Sequence, residues 1–303
     1  MASRNVIIIG GGISAHTAAV YTARADLKPL VLSGRGLDQL SQTSLVENFP
    51  GFVEGILGPD LIVNAKKQAQ KFGAEYIGED VTGFKKVASG YEITTAKETY
   101  IGKTVIISSG ASARKLGIPG EDSFFGKGVS TCATCDAPFF KGKKVVIVGG
   151  GDSAMEETMA LYKFASEIHL VHRRDSFRAS KIMQKRVLDS TDKITIHYET
   201  ETLEVLGDKF VTGVKIKDST GESEIACDGM FLAIGHIPNT DFLNGAVKLD
   251  DQGYIAVDGV KTSLPGVYAA GDVMDPHYRQ AITSAGTGCM SALEAEHYLE
   301  TLE

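Results

Sequence analysis

Residues 6–9, Val-Ile-Ile-Ile, form an unbroken apolar run, which predicts a strand buried on both faces. Three glycines, a Ser-Ala, about 12 residues of helical pattern and a second apolar strand follow it. The whole stretch, VIIIGGGISAHTAAVYTARADLKPLVLSGR at residues 6–35, aligns without a gap with VVIVGGGDSAMEETMALYKFASEIHLVHRR at residues 145–174. Two copies of one strand-turn-helix-strand unit predict two βαβ units. Near the C-terminus the pattern predicts a strand over 267–270, then Gly271-Asp272, then a helix from about Arg279 to Leu299.

In each copy the first glycine (Gly10 or Gly149) permits a tight turn, and the third (Gly12 or Gly151) lets the backbone approach a pyrophosphate. Ala15 or Ala154 keeps the helix close to the strand, and the helix N-terminus then presents free N–H groups to phosphates. Gly11 stands between the first two glycines named for the first copy. Glycine turns also occur for purely structural reasons, but two copies in the same context predict two dinucleotides.

The ends of the second strands separate the two ligands. In the second copy that place reads His172-Arg173-Arg174 followed by Arg178, which suits a 2′-phosphate and so NADPH; the alternative is a solvated cationic rim. In the first copy it reads Ser33-Gly34 and names no nucleotide. Asp272, at a predicted strand end, can bond a ribityl or ribose hydroxyl or serve as an ordinary turn aspartate.

A chain of 303 residues with 43% hydrophobic content predicts two cores. Its net charge of −7, with no basic block, argues against nucleic acid, and no apolar run reaches membrane-spanning length. The N-terminus lacks a cleavable signal pattern, so the expectation is a soluble, cytoplasmic protein. Four cysteines are too few for a secreted disulfide scaffold. Two of them, Cys132 and Cys135 in STCATCDAPFF, form a pair suited to redox exchange or, with two further ligands, zinc. Cys227 and Cys289 stand apart, which disfavours zinc, and Cys289 is expected to be a buried small residue at the start of the last helix.

The segments CATCD (132–136), GGGDSAMEE (149–157), HRRDSFRAS (172–180), AIGHIPNT (233–240), GVYAAGDVMD and YRQAITSAGTGCM resemble the low-molecular-weight thioredoxin reductases over nearly the whole chain. The resemblance implies an α/β fold of two Rossmann-like, three-layer ββα domains. An NADPH domain at 117–237 would be inserted into an FAD domain made of 1–116 and 238–303, with hinges at Gly117–Gly120 and Gly235–Pro238.

By the same resemblance FAD contacts Gly10, Gly11, Gly12, Ala15, Gln39, Asn48, Val81, Asp272, Arg279, Gln280 and Ala281. NADPH contacts Gly151, Ser153, Ala154, Glu157, His172, Arg173, Arg174 and Arg178. The implied cycle passes hydride from NADPH to FAD, opens the 132–135 disulfide through Cys135, and uses Cys132 to attack a thioredoxin disulfide. Asp136 handles the proton, which is sensible because thiolate leaving groups need protons at neutral pH, although a solvent-facing Asp136 is the plain alternative. The family also implies rotation of the NADPH domain and a homodimer.

The chain departs from the family pattern at Leu37-Asp38-Gln39-Leu40 (usually Gly-Gly-Gln-Leu), Ile13-Ser14 (Pro-Ala), Ser108-Ser109-Gly110 (Ala-Thr-Gly) and Ala137-Pro138 after CATCD. Asp38 would repel the cofactor if it pointed inward, and is expected to face solvent. Rival readings are a flavoprotein dithiol oxidase, which would not need HRRDSFRAS, and an NADPH- or redox-sensing flavoprotein. The flavoprotein subunit of alkyl hydroperoxide reductase shares this core but carries an additional N-terminal portion, whereas here the first strand is expected by about Asn5.

Overall fold

The computed structural model describes residues 3–43, 45–190 and 192–302. Its six α-helices among these are α1 (Ile13–Arg24), α2 (Gly58–Lys71), α3 (Ala133–Asp136), α4 (Asp152–Tyr162), α5 (Lys181–Leu188) and α6 (Ala281–Glu300). The chain divides into two compact units, one of residues 1–112 and 237–303 and the other of residues 113–236. Both crossings fall inside short strands, Ala111–Ala113 and His236–Pro238.

In the first unit, strand Ser3–Ile9 lies parallel to Leu30–Leu32 on one side and to Thr99–Ile107 on the other. Glu75–Ile77 extends the sheet beyond Leu30–Leu32, and Val267–Ala269 joins the far end of Thr99–Ile107. The hairpin of Val81–Val87 and Gly90–Thr95 completes seven strands. Alternation explains the unbroken apolar run: Val6 and Ile8 face α1 and α6, while Ile7 and Ile9 face the opposite core with Val105 and Ile107. Each such side chain contributes roughly 1.5–3 kcal/mol of burial.

Helices α1 and α6 bury small residues, Ala15, Ala18 and Ala19 on one and Ser284, Gly288 and Ala292 on the other. A Cβ on Gly288 would lie 2.3 Å from the Ser14 carbonyl, so this approach needs glycine. Helix α6 starts two residues later than the sequence predicts. Arg279 takes a left-handed φ of 49° and Gln280 is extended, so neither can begin a helix. Cys289 is a further correction: it lies well inside α6 and is half-buried.

The second unit has a five-stranded parallel sheet, in the order Val129–Ser130, Gly229–Ala233, Lys144–Gly149, Glu167–Val171, Ile194–His197. One face carries α4 and α5, with Ile147, Leu161, Leu170 and Phe231 in the core. The other carries the antiparallel sheet Glu201–Gly207, Val211–Asp218, Gly221–Ala226, which buries Val146, Val148 and Val171 under Val214 and Ile216. The turn Gly117–Gly120 belongs to this unit. Glu121 accepts the N–H groups of Leu116, Gly117 and Ile118, and a Cβ on Gly120 would sit 2.2 Å from the Val205 carbonyl.

Candidate functional site

The two repeat turns have one design. Gly10, at φ 134°, lies so close to strand Thr99–Ile107 that a Cβ would be 2.0 Å from the Ser108 carbonyl; a Cβ on Gly149 would be 2.4 Å from the Ala233 carbonyl. The middle glycines are covered by the ends of the second strands, Gly11 by the Ser33 carbonyl and Gly150 by the His172 ring. The third glycines are open: a Cβ on Gly151 would meet nothing within 4 Å, and one on Gly12 only the Asp38 Cβ at 4.0 Å. Gly12 and Gly151 are the N-caps of α1 and α4, and neither helix has a side-chain cap. Each helix therefore offers N–H groups and its positive end across an open glycine, which fits a pyrophosphate.

Around the first turn, Gln39 donates to the Ala111 carbonyl at 2.6 Å and lies 3.5 Å from Asp272, and Asn48 lies 3.4 Å from Gln280. Asp272 accepts from the Ser284 hydroxyl at 3.0 Å, yet burial pushes its carboxyl up to about 6. Gln280 caps α6 and Ala281 is its first residue. Asn48 also lines a cavity of about 330 Å³ formed by residues 47–53. Asp38 neither reaches inward nor stands free in solvent: it accepts from the Ser41 amide at 3.1 Å and from the Ser41 hydroxyl, holding the short turn Leu40–Gln42. Val81 starts an edge strand next to Asp80, whose carboxylate accepts the Arg35 amide at 2.9 Å. The contacts that hold Val81 do not join it to the glycine turn.

Around the second turn, the Arg178 amide donates to the Gly150 carbonyl at 2.8 Å, and Asp152 accepts the Ser180 amide at 2.8 Å. These bonds lay the segment after the second strand across the start of α4. Arg173, Arg174 and Arg178 are exposed there, and no ion pair joins them to a carboxylate among the described residues. Ser153 and Glu157 are half-buried on α4, Ala154 is fully buried against its sheet, and Glu157 makes a further interaction. His172 is 7% exposed and its Nε2 pairs with the Ser176 carbonyl at 3.0 Å. Burial, then the neighbouring arginines, hold its proton affinity below the usual range, so it is a neutral plug under the turn.

Cys132 and Cys135 form a disulfide with Cα atoms 5.3 Å apart. Cys132 caps α3, and its sulfur accepts the Cys135 amide at 3.2 Å. Cys135 is exposed and Cys132 half-buried. Asp136 lies half-buried beside them; burial raises its carboxyl above the usual range while a hydrogen bond from Ser130 opposes that. Cys227 is buried, its thiol pushed up to about 12, and is chemically inert. Sequence reasoning missed Ser130, Asp80 and Glu121, whose roles come from contacts that no spacing rule anticipates. A polar residue inside the buried strand Val129–Ser130 was the one available signal.

Two uncapped glycine turns and a vicinal disulfide define a nucleotide-dependent disulfide oxidoreductase. The family profile "Pyridine nucleotide-disulphide oxidoreductase" matches residues 4–288. Similar proteins include the thioredoxin reductases of Streptomyces clavuligerus, 49% identical over 99% of this chain and 95% of that one, and of Mycolicibacterium smegmatis, 49% identical over 97% and 96%. A solved thioredoxin reductase from Giardia duodenalis superposes with a TM-score of 0.93 at 40% identity, covering 99% of this chain and 100% of that one. The chain belongs to the pyridine nucleotide-disulphide oxidoreductases and, within them, to the thioredoxin reductase family.

Proposed function

We propose that this chain reduces the disulfide of a thioredoxin with electrons from NADPH, by way of FAD and the Cys132–Cys135 pair. The observation that carries the reading is the exposed vicinal disulfide, held in one compact unit with a glycine turn flanked by three exposed arginines. Residues 113–236 are then the NADPH domain and the remainder the FAD domain.

In this reading the α1 N-terminus, with Gly10, Gly11, Gly12 and Ala15, holds the FAD pyrophosphate. Gln39, Asn48 and Asp272 bond its ribityl and flavin polar groups, and Arg279, Gln280 and Ala281 bring the α6 start to the ring; Val81 contributes only an apolar edge. Asp272 is suited to a ribityl hydroxyl because its half-buried carboxylate keeps acceptor capacity beyond Ser284. Gly151, Ser153, Ala154 and Glu157 line the NADPH turn, Arg173, Arg174 and Arg178 hold the 2′-phosphate, and His172 supports them from beneath. FAD, when bound, supplies a two-electron relay between NADPH and the disulfide.

After reduction, the Cys132 thiolate is stabilised by the Cys135 amide, which favours Cys132 as attacking sulfur. Its attack on thioredoxin forms a mixed disulfide and releases one thioredoxin thiolate. The Cys135 thiolate then attacks Cys132, restoring the 132–135 disulfide and releasing the second thiolate. Each released thiolate takes a proton, and Asp136 is the adjacent group that can hold one. Two electrons and two protons reach thioredoxin for each NADPH and H⁺ consumed. A homodimer is proposed on an apolar stripe of α6, and a reducing, cytoplasmic compartment suits the chemistry.

The test uses FAD-loaded protein with NADPH and a thioredoxin, following new thiols. Wild type should turn over and Cys135→Ser should not. Arg173→Ala with Arg174→Ala should cut kcat/KM for NADPH by about 10²–10⁴-fold, since two charge-assisted hydrogen bonds worth roughly 1.5–3 kcal/mol each are lost, and leave NADH use unchanged. Oxygen consumption at the full rate without thioredoxin would instead make the chain an oxidase.

A further inference from the structure

Asp38 stands at the mouth of the α1 turn. A Cβ on Gly12 would meet only the Asp38 Cβ, at 4.0 Å, so this side chain starts beside the open glycine and the free N–H groups of α1. A carboxylate placed there can turn toward the helix N-terminus, whose positive end attracts it, or toward the short turn that follows. It takes the second course. Its Oδ1 accepts the Ser41 amide at 3.1 Å and its Oδ2 accepts the Ser41 hydroxyl, while α1 is left without a side-chain cap. The backbone around Asp38 is tied by other bonds. The Gln42 side-chain amide donates to the Leu37 carbonyl at 3.0 Å and to the Asp38 carbonyl at 3.2 Å, and the Gln42 and Thr43 backbone amides donate to the Gln39 and Leu40 carbonyls, each at 3.2 Å. Ser41 therefore sets the direction of the carboxylate, and Gln42 holds the turn itself.

We infer that Ser41 is a positioning residue for cofactor binding: it clips the Asp38 carboxylate away from the α1 N-terminus and so keeps that end open to a pyrophosphate, an inference that rests on the proposed FAD site at the same turn. Loss of the Ser41 hydroxyl has two consequences. The released carboxylate repels the phosphates, and it competes with them for the N–H groups of α1. Asp38 and Ser41 are both half-buried, so water screens the repulsion only in part. A side chain at 38 with neither charge nor acceptor removes both effects and makes the Ser41 hydroxyl unnecessary.

The experiment dilutes FAD-loaded protein and follows the rise of free-flavin fluorescence for wild type, Ser41→Ala, Ser41→Thr, Asp38→Ala and the double variant Ser41→Ala/Asp38→Ala. At low ionic strength Ser41→Ala should release FAD about 3–10-fold faster than wild type, and the ratio should fall toward one near 1 M salt, where the screening length is about 3 Å. Ser41→Thr keeps the hydroxyl and should release FAD at the wild-type rate, as should Asp38→Ala and the double variant. Release from Asp38→Ala as fast as from Ser41→Ala, unrelieved by salt, means that the pair only orders its turn; it overturns the inference and leaves the FAD site standing. A Ser41→Ala rate equal to wild type overturns it as well. Wild-type protein that takes up no FAD overturns the proposed cofactor and the inference with it.

Discussion

Ser33 and His172 occupy equivalent places in the two repeats, and each closes over the middle glycine of its turn. The motif assigns His172 to the nucleotide, and the fold places its ring, 7% exposed, under Gly150, with the arginines proposed for the 2′-phosphate exposed around it. Ser108 shows the opposite case of a side chain without a use. It is 4% exposed, and its hydroxyl has no hydrogen-bond partner among the described residues. An unsatisfied buried hydroxyl costs roughly 1–3 kcal/mol, so Ser108→Ala should stabilise the folded chain by about 1 kcal/mol, read as a higher urea midpoint at unchanged slope. A lower midpoint would show that the hydroxyl is bonded after all. The family pattern that the sequence departs from here has alanine at this place.

At the scale of elements, strands Glu167–Val171 and Ile194–His197 bring two histidines together. His169 donates from Nε2 to Glu167 at 3.0 Å, which leaves its Nδ1 to accept from His197 Nε2 at 3.0 Å. Lys144 also pairs with Glu167 at 2.6 Å, and Asp218 faces His197 from the antiparallel sheet. Burial holds both histidines below their ordinary value, as it does His172, and it lowers His16 to about 4. The unfolded chain therefore binds protons first as pH falls below about 6.5, while the folded chain resists until lower pH. Stability should fall from about pH 6.5 toward about pH 4, and His169→Phe should flatten the fall seen in thermal unfolding. A melting temperature that is constant across this range would remove the argument. Periodicity located Glu167–Val171 as the second strand of the second repeat, but neither the strand Ile194–His197 nor the pairing of positions 169 and 197, because diagonal neighbours depend on register.

For the whole molecule, α6 presents Ile282, Gly286, Met290 and Leu293 to solvent on one face, with Tyr21 of α1 also exposed in the same unit. Apolar side chains spaced by three and four along a helix form a continuous stripe, and such a stripe on a surface marks an interface. Met290→Glu with Leu293→Glu should convert a dimer into a monomer by light scattering, with the flavin retained. A dimer unchanged by both charges would place the interface elsewhere. The Gly117–Gly120 turn is tied into its own unit by Glu121.

By itself the sequence determined the repeat, the open third glycine of each turn, the arginine cluster and the cysteine pair, because each depends on residues adjacent along the chain. The start of α6 was misjudged by two residues, since the left-handed backbone at Arg279 leaves no mark in a hydrophobic pattern. Only tertiary structure decided that His172 lies under Gly150, that the Ser33 carbonyl covers Gly11, and that His169 meets His197. Those placements arise where segments distant in sequence are brought into contact by the sheets, and a one-dimensional pattern does not contain that distance.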